Sequence, residues 1–282
     1  KLGQEAEVAR SLNYIGGVYH SWGQYNEAIK KYKEALAIDK RLGREADVAI
    51  YLSNIGGVYS DWGQYNEAIK HFKEALAIGK RLGREAEVAR SLNDIGGVYS
   101  DWGQYKEAIK HFKEALAIGK RLGMEAEAAR SLNYIGGVYH SWGQYKEAIK
   151  HFKEALATFK KLGQEDGVAT CLNNIGLVYH SWGQYNKAIK HYEEALAIDK
   201  KLEREAYVAI RLNNIGGAYY LQGKYKTSIC LLSMGFHALW QSIEYLTESV
   251  EIKEKLRKTA TGDIRRDYLG SQIGTYQDLI SA

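Results

Sequence analysis

The feature that most constrains this chain is an internal repeat with a period of 40 residues. The segment GGVYHSWGQYNEAIKKYKEALAI, which begins at residue 16, returns nearly unchanged from residues 56, 96, 136 and 176. Residues 44–83 and 84–123 differ at only six pairs of positions: Asp47/Glu87, Ile50/Arg90, Tyr51/Ser91, Ser53/Asn93, Asn54/Asp94 and Asn66/Lys106. Units this alike predict a stacked array, because copies of one sequence do not build a single asymmetric catalytic pocket.

Each repeat is predicted to contain two helices. The apolar residues of the first helix recur in steps of three and four, which places them on one helical face; they are Val8, Leu12, Ile15, Tyr19 and Trp22. A second apolar stripe follows within residues 25–36, and glycines at 23 and 43 can end the two helices. Because the connections are short, the helices form an antiparallel hairpin. One hairpin cannot bury both of its faces, so it is expected to stack on the next.

A set of small and aromatic residues at fixed spacing resembles the signature of the tetratricopeptide repeat. In the first repeat these residues are Leu12, Ile15, Gly16, Tyr19, Gly23, Tyr25, Ala28, Tyr32 and Ala35. The period of 40 residues departs from the usual 34, and no proline ends the second helix. The longer repeat is similar to those of kinesin light chains and spindle-orientation adaptors. The resemblance implies an all-α fold, a right-handed superhelical solenoid of antiparallel hairpins with a C-terminal capping helix, which binds partners.

The C-terminal part departs from the regular pattern. We expect residues 1–258 to form about six hairpins, with residues 259–282 as a capping helix or a linker to a missing domain. The sixth repeat is irregular, since residues 230–243 interrupt it, either as an extension of a helix by four turns or as a bulged loop. The segment SVEIKEKLRK, followed by QIGTYQDLI, resembles the connection to caspase-like CHAT peptidase domains. Glu203 also replaces the hairpin-ending glycine found at 43, 83, 123 and 163.

The irregular segment is apolar and is a candidate surface for a partner or for self-association through a second copy of the chain. Its residues are Leu231, Leu232, Met234, Phe236, Leu239 and Trp240.

Packing positions can be predicted from the same pattern. Gly16 and Ala28 are expected where the two helices of a hairpin cross, and Cys171 is expected to be a small packing residue. Most tyrosines are assigned to the core, as are the tryptophans at 22, 62, 102, 142 and 182. The histidines at 71, 111, 151 and 191 recur at one position of the second helix, which indicates a surface pattern.

The resemblance implies that the first helix of each hairpin lines a concave groove. The face opposite the core stripe of that helix is then the candidate peptide-binding surface. Its residues are Arg10, Asn13, His20, Ser53, Ser60, Arg90, Asn93, Ser100, Arg130, Asn133, His140, Asn173, His180 and Asn213. The same face includes Ile50, Gly57, Leu177 and Ile210, and Asp61 and Asp101 lie at its end.

The recurring asparagine of this face has two interpretations. Its amide can donate to and accept from the backbone of an extended peptide, and the arginines can hold carboxylates. Related repeats bind acidic or C-terminal peptide segments, so the resemblance suggests a ligand of one of these two kinds. Alternatively, the asparagine bonds the neighbouring hairpin and supports the stack, because a buried amide must find partners.

Composition argues against several other functions. The net charge is +5 without runs of Lys or Arg, so nucleic acid is not expected as a partner. No apolar stretch is long enough for a membrane span, and two cysteines are consistent with a reducing compartment, the cytoplasm. No phosphate-binding loop, catalytic constellation or helical metal pair is present, so no cofactor, no metal and no enzyme activity are expected. We therefore predict a non-enzymatic scaffold for a protein or peptide partner, with a targeting arm of a peptidase or a self-assembling array as alternatives.

Overall fold

The computed structural model describes residues 2–229, 244–248 and 250–251. Within residues 2–229 the backbone forms eleven α-helices. They are α1 (Leu2–Ser21), α2 (Tyr25–Arg41), α3 (Glu45–Asp61), α4 (Tyr65–Arg81), α5 (Glu85–Asp101), α6 (Tyr105–Arg121), α7 (Glu125–Ser141), α8 (Tyr145–Lys161), α9 (Glu165–Ser181), α10 (Tyr185–Lys201) and α11 (Glu205–Ile229). The described residues contain no β-strand, and none of their helices is long and apolar enough to cross a membrane.

The chain divides into two compact units, unit 1 (residues 1–138) and unit 2 (residues 139–282). In unit 1, α1 packs on α2, α3 on α4 and α5 on α6, and each of these hairpins packs on the next. In unit 2, α9 packs on α10, while α8 packs on α9 and α10 on α11. The prediction of stacked helical hairpins is confirmed within each unit. We call the odd-numbered helices first helices and the even-numbered ones second helices.

The connections between helices repeat one geometry. Gly23 has a φ of 70°, and glycines at eight further connections also have positive φ. The N–H of Gly23 donates to the carbonyl of His20 at 2.9 Å, and the N–H of Gln24 donates to that of Tyr19 at 2.9 Å. This is the bond pair of a Schellman motif, which satisfies carbonyls at the end of a helix. Glu203 occupies the same place after α10 with a φ of 53°.

Small residues let the two helices of a hairpin approach each other. A Cβ atom on Gly16 would lie 2.7 Å from the ring of Tyr32, and Ala28 is fully buried. The expectation that Gly16 and Ala28 mark the helix crossing is confirmed. Between hairpins, Tyr32 packs with Ile29, Ile55 and other apolar residues in one cluster that recurs along the chain. Burial of these side chains supplies most of the stabilisation of each interface.

Each second helix meets the next first helix at a junction, and two junctions contain a buried carboxylate. Asp39 and Asp199 are both 0% exposed. The hydroxyl of Tyr51 donates to Asp39 at 2.8 Å, and Nε of Arg211 donates to Asp199 at 3.0 Å. A second arginine lies near each carboxylate, Arg44 at 3.8 Å and Arg204 at 3.3 Å. These donors offset the cost of removing a charge from water. Burial and the Asp39 carboxylate raise the pKa of Tyr51, which therefore remains a donor.

The other junctions use small or apolar residues at the same position. Gly79 and Gly119 allow close approach, since a Cβ on Gly119 would lie 3.2 Å from the backbone nitrogen of Ala128. At the junction of α8 and α9, the second helix carries a large side chain and the first helix a glycine that makes room for it. Phe159 occupies the second-helix position, and a Cβ on Gly167 would lie 2.6 Å from its ring. The residue pairs at successive junctions are therefore matched to each other.

Two sequence-based assignments are corrected by the structure. The tryptophans are not core residues, because Trp22 is 45% exposed and the four others are 37–39% exposed. They follow the last residue of a first helix and contact tyrosine rings; Trp62, for example, stacks on Tyr59. The histidines of the second helices are not simple surface residues either. The ring of His71 stacks on Tyr59 with its Nδ1 buried, and burial lowers the pKa of His71.

The sixth repeat also differs from expectation. Helix α11 continues through Gly223 to Ile229, whereas each of the other first helices ends two residues before the equivalent glycine. Gln222 stands at the position where the other repeats have the stacked tryptophan. Helix α11 therefore lacks the tryptophan that follows the other first helices, although Gly223 is present. Cys171 is 0% exposed, as expected of a packing residue. The apolar segment 230–243 and the predicted capping helix 259–282 lie outside the described residues.

Candidate functional site

A cavity of about 370 Å³ opens between the first helices of unit 1. Its floor is formed by Tyr32, Phe72 and Ala75 of the second helices. Its walls come from α1, α3 and α5, so three consecutive hairpins contribute to it. The volume lies in the range of pockets that hold small ligands or single side chains.

Several residues of the predicted groove line this cavity. They are His20, Ile50, Ser53, Gly57 and Arg90. Arg90 makes no hydrogen bond or ion pair among the described residues, and no atom lies within 4 Å of a Cβ built on Gly57. The cavity therefore contains an available guanidinium beside an open part of its wall.

The other predicted residues of unit 1 lie outside the cavity lining. Arg10 is exposed on α1, while Ser60 and Ser100 are half-buried on α3 and α5. Arg130 is exposed and pairs with Glu127 on α7, and Asn133 is half-buried on the same helix. The structure thus gathers only part of the predicted face into one concave site.

The recurring asparagine makes contacts between hairpins. Nδ2 of Asn54 donates to Oδ1 of Asn13 at 2.7 Å, and Nδ2 of Asn214 donates to Oδ1 of Asn173 at 2.9 Å. Oδ1 of Asn93 accepts from the hydroxyl of Ser131 at 3.3 Å. These bonds favour the stacking interpretation for Asn13, Asn93 and Asn173.

Asn173 is the buried member of the predicted groove residues. It is only 7% exposed and its amide oxygen is occupied by Asn214, so it is not presented to a ligand. Asn213, the equivalent residue of the next repeat, is half-buried on α11.

Sequence analysis missed the polar residues one position further along the helix. Asn54, Ser91 and Asp94 line the cavity together with Glu87. Burial raises the pKa of Asp94 to about 6, and the nearby charge of Arg90 acts in the opposite direction. The available signal was the comparison of the two most similar repeats, where Asn54/Asp94 is one of the six differences.

Carboxylates also lie at the end of the first helices in unit 1. Nε2 of His20 and Oδ2 of Asp61 are 2.8 Å apart. Burial raises the pKa of Asp101, and the negative charge of Asp61 raises it further. Asp61 and Asp101 are therefore close enough to repel each other.

The corresponding positions of unit 2 carry no charge from acidic or basic side chains. Ser141 and Ser181 replace the two aspartates, and Nε2 of His140 is 2.9 Å from the hydroxyl of Ser181. Burial lowers the pKa values of His140 and His180, and His180 lowers that of His140 further, so both rings are neutral at pH 7. Asn173, Asn174 and Leu177 continue this uncharged face on α9. The ends of α3 and α5 thus carry aspartates, whereas the ends of α7 and α9 carry serines.

The arrangement is suited to binding through hydrogen bonds and charge. In residues 2–229, 244–248 and 250–251, no group of three or more His, Cys, Asp or Glu side chains could hold a metal ion.

The fold defines a helical-repeat protein, and in unit 1 three of its first helices line a cavity. Family models described as "Tetratricopeptide repeat" match residues 47–121 and 127–201, and a further one matches residues 9–41. These matches cover more than half of the chain, which therefore belongs to the tetratricopeptide repeat family. No curated protein sequence matches the chain.

Solved structures with the same architecture support the fold. BtubC (BKLC) from P. vanneervenii has a TM-score of 0.68 at 20% identity, with 85% of this chain and 94% of that chain covered. A variant of a Podosopora anserina protein, described as a kinesin light chain with nearly identical TPR-like repeats, has a TM-score of 0.58 at 21% identity, covering 71% and 98%. A Rap protein complexed with competence and sporulation factor has a TM-score of 0.61 at 20% identity, covering 96% and 73%.

Proposed function

We propose that the chain is an interaction scaffold whose first helices bind an extended segment of a partner protein. The observation that carries this proposal is the cavity, lined by both polar and apolar side chains, that three consecutive hairpins build in unit 1. Because the cavity is built by three successive hairpins, a ligand bound in it contacts several repeats at once.

Two further observations support a peptide ligand. The structurally similar Rap protein is described in complex with a factor, although a likeness at 20% identity shows the fold alone. In addition, Arg90 and Ser53 make no hydrogen bond among the described residues and face the cavity, so a peptide backbone can pair with them.

Selection from a displayed library of random 12-residue peptides tests the proposal. Enriched peptides are synthesised, and their affinities are measured by fluorescence anisotropy with the whole chain. The blocking variant is Gly57→Trp, because Gly57 faces open space and Leu177 already occupies the equivalent position. We expect a loss of affinity of about 10-fold or more, because the indole fills the cavity and excludes the ligand.

A matched control places the same residue on the outer face. Lys70 lies on α4 with a side chain that is 61% exposed, so Lys70→Trp is expected to bind the peptides as the parent does. Enrichment of no peptide, or equal binding by Gly57→Trp and the parent, contradicts a groove-binding function.

A further inference from the structure

We propose that the cavity of unit 1 selects a lysine or arginine side chain of the partner segment, with the Asp94 carboxylate as its counter-ion. This inference rests on the proposed function and adds the chemical class of residue that the groove recognises. It is opposite in sign to the acidic ligand that the sequence resemblance suggests.

Asp94 is the carboxylate of the cavity that makes no direct contact with a charged partner in the described part of the chain; Arg90, four residues earlier on α5, acts on it only as a nearby charge that lowers its pKa. Among the residues that the structure describes, no hydrogen bond or ion pair to its side chain is formed. Glu87, the other acid of the lining, pairs with Arg84 at 2.9 Å. A free carboxylate that is largely removed from water gains most from a cationic ligand, because the pairing replaces the hydration that it has lost.

Asp94 forms no hydrogen bond to the preceding hairpin, unlike the asparagines at the same position in two other repeats. Asn54 and Asn214 occupy the same helical position, and their amides donate to the preceding hairpin. A carboxylate cannot donate these bonds at neutral pH. The preceding repeat has Ser53 instead of asparagine at the accepting position. The pair Ser53 and Asp94 thus gives up a contact between hairpins and leaves an acidic group in the cavity.

The charges around Asp94 favour a cation. The basic side chains of the lining are Arg90 and His20, of which His20 pairs with Asp61 outside the cavity, while Glu87 pairs with Arg84. Beyond the cavity, Asp61 and Asp101 add two negative charges at the end of the same helices, and one of them pairs with His20. A ligand carboxylate would add a further negative charge, whereas a guanidinium or ammonium group would reduce the repulsion.

The protonation behaviour of Asp94 agrees with this arrangement. Burial raises the pKa of the carboxyl to about 6 despite the nearby Arg90, so ionisation of Asp94 costs more free energy than ionisation of an exposed aspartate. Asparagine at this position in three other repeats avoids that cost. Binding of a cation stabilises the ionised carboxylate, so the attraction between the two charges offsets the free energy needed to ionise Asp94.

The test uses the random 12-residue peptide library with the whole chain. Selections are run in parallel on the parent, on Asp94→Asn and on Asp166→Asn, which removes an exposed acid of α9 in unit 2. We expect the parent and Asp166→Asn to enrich a lysine or arginine at one fixed position. Asp94→Asn is expected to lose that preference, because asparagine retains the shape but lacks the charge.

A double-mutant cycle on one enriched peptide then isolates the contact. Replacing the basic residue of the peptide by norleucine is expected to weaken binding by about 10-fold, as is Asp94→Asn, because close charge pairs couple strongly. The two changes together are expected to cost little more than one alone.

The possible results separate this inference from the proposed function. Suppose that Gly57→Trp abolishes the binding of the enriched peptides, but these peptides show no preference for a basic residue or prefer an acidic one. The cation site is then overturned, and the groove-binding function still stands. Additive losses in the cycle also overturn the cation site. Enrichment of no peptide contradicts both. Circular dichroism melting of each variant shows whether it is folded, and Asp94→Glu, which keeps the charge, is expected to retain the preference if Asp94→Asn does not fold.

Discussion

At the scale of single residues, small chemical differences between nearly identical repeats have large effects on the inner surface. Asn54 and Asp94 differ by an amide and a carboxylate, yet one bonds to Asn13 and the other has no bond among the described residues. The sequence comparison exposes this difference directly. The effect of this difference on hydrogen bonding could not be predicted, because it depends on which group of the preceding hairpin lies opposite the side chain.

Glu203 provides a prediction at this scale. It has a φ of 53° where nine other connections have glycine, and left-handed backbone is unfavourable for a residue with a Cβ. We expect Glu203→Gly to stabilise the chain by about 0.5–1 kcal/mol, since relief of the backbone strain exceeds the added entropy of the unfolded state. Urea denaturation followed by circular dichroism measures the change.

The reciprocal substitution is the control for Glu203. Gly163 has a φ of 66° at the preceding connection of the same kind. Gly163→Glu is expected to destabilise the chain by about 1 kcal/mol. An unchanged or lower stability of Glu203→Gly would show that the glutamate is held there by contacts stronger than the strain.

At the scale of helices, most of the fold follows from sequence periodicity. The steps of three and four predicted the apolar face that is buried in α3, although Val8 and Ile15 of α1 are 50% and 43% exposed. The glycines at 23 and 43 predicted the helix ends that are observed at Ser21 and Arg41. The same periodicity misplaced the tryptophans, because Trp22 follows the last helical turn and is no longer constrained by the helical face. Continuation of α11 through Gly223 was likewise missed, since a glycine permits a turn without requiring one.

Junction residues were not predicted, because their partners lie on a different helix. The position of Asp39 could be recognised as variable, but not as buried against Tyr51. With the structure known, a rule can be recognised in the sequence. Where the second helix has aspartate at the position of Asp39, the next repeat has tyrosine or arginine at the position of Tyr51; where it has glycine, the next repeat has serine.

Loss of one donor at the first junction is expected to destabilise the array. In Tyr51→Phe, the Asp39 carboxylate remains buried with only Arg44 nearby, at 3.8 Å. A buried acceptor that loses its donor costs about 1–3 kcal/mol, which chemical denaturation measures. Tyr14→Phe removes a hydroxyl from a residue that is 73% exposed and is expected to have no measurable effect.

A paired substitution tests whether the junction residues act as matched sets. Asp39→Gly combined with Tyr51→Ser reproduces the pair Gly79 and Ser91 of the next junction. We expect the double variant to be more stable than Tyr51→Phe alone, because no buried charge remains to be satisfied. A double variant that is less stable than Tyr51→Phe contradicts the matching rule.

At the scale of the whole molecule, matched junctions determine which repeats can follow one another. A second copy of residues 84–123, inserted after residue 123, places Gly119 against Ser91. That junction has the same kind of residues as the natural pair Gly79 and Ser91. We expect this longer chain to unfold at a higher urea concentration than the parent, since stability in an array grows with each compatible interface.

Duplication of another repeat is expected to have the opposite effect. A second copy of residues 164–203, inserted after residue 203, places Asp199 against Gln164, Gly167 and Cys171. The carboxylate then lacks both Arg204 and Arg211, and breaking a buried pair costs about 3–5 kcal/mol. Asp199→Phe in the first copy restores the pair of Phe159 and Gly167 and should recover the loss. Equal stability of both duplications contradicts the rule.

The tryptophans that lie outside the core give each hairpin interface an optical reporter. Trp62 contacts Tyr25 of the preceding hairpin with ring centroids 5.8 Å apart, and Trp102 and Trp182 repeat this contact with Tyr65 and Tyr145. Separation of two hairpins exposes one indole to water and removes its tyrosine neighbour. A chain that retains one of these three tryptophans, with phenylalanine at the other five tryptophan positions of the sequence, will therefore emit light whose wavelength follows the opening of one chosen interface.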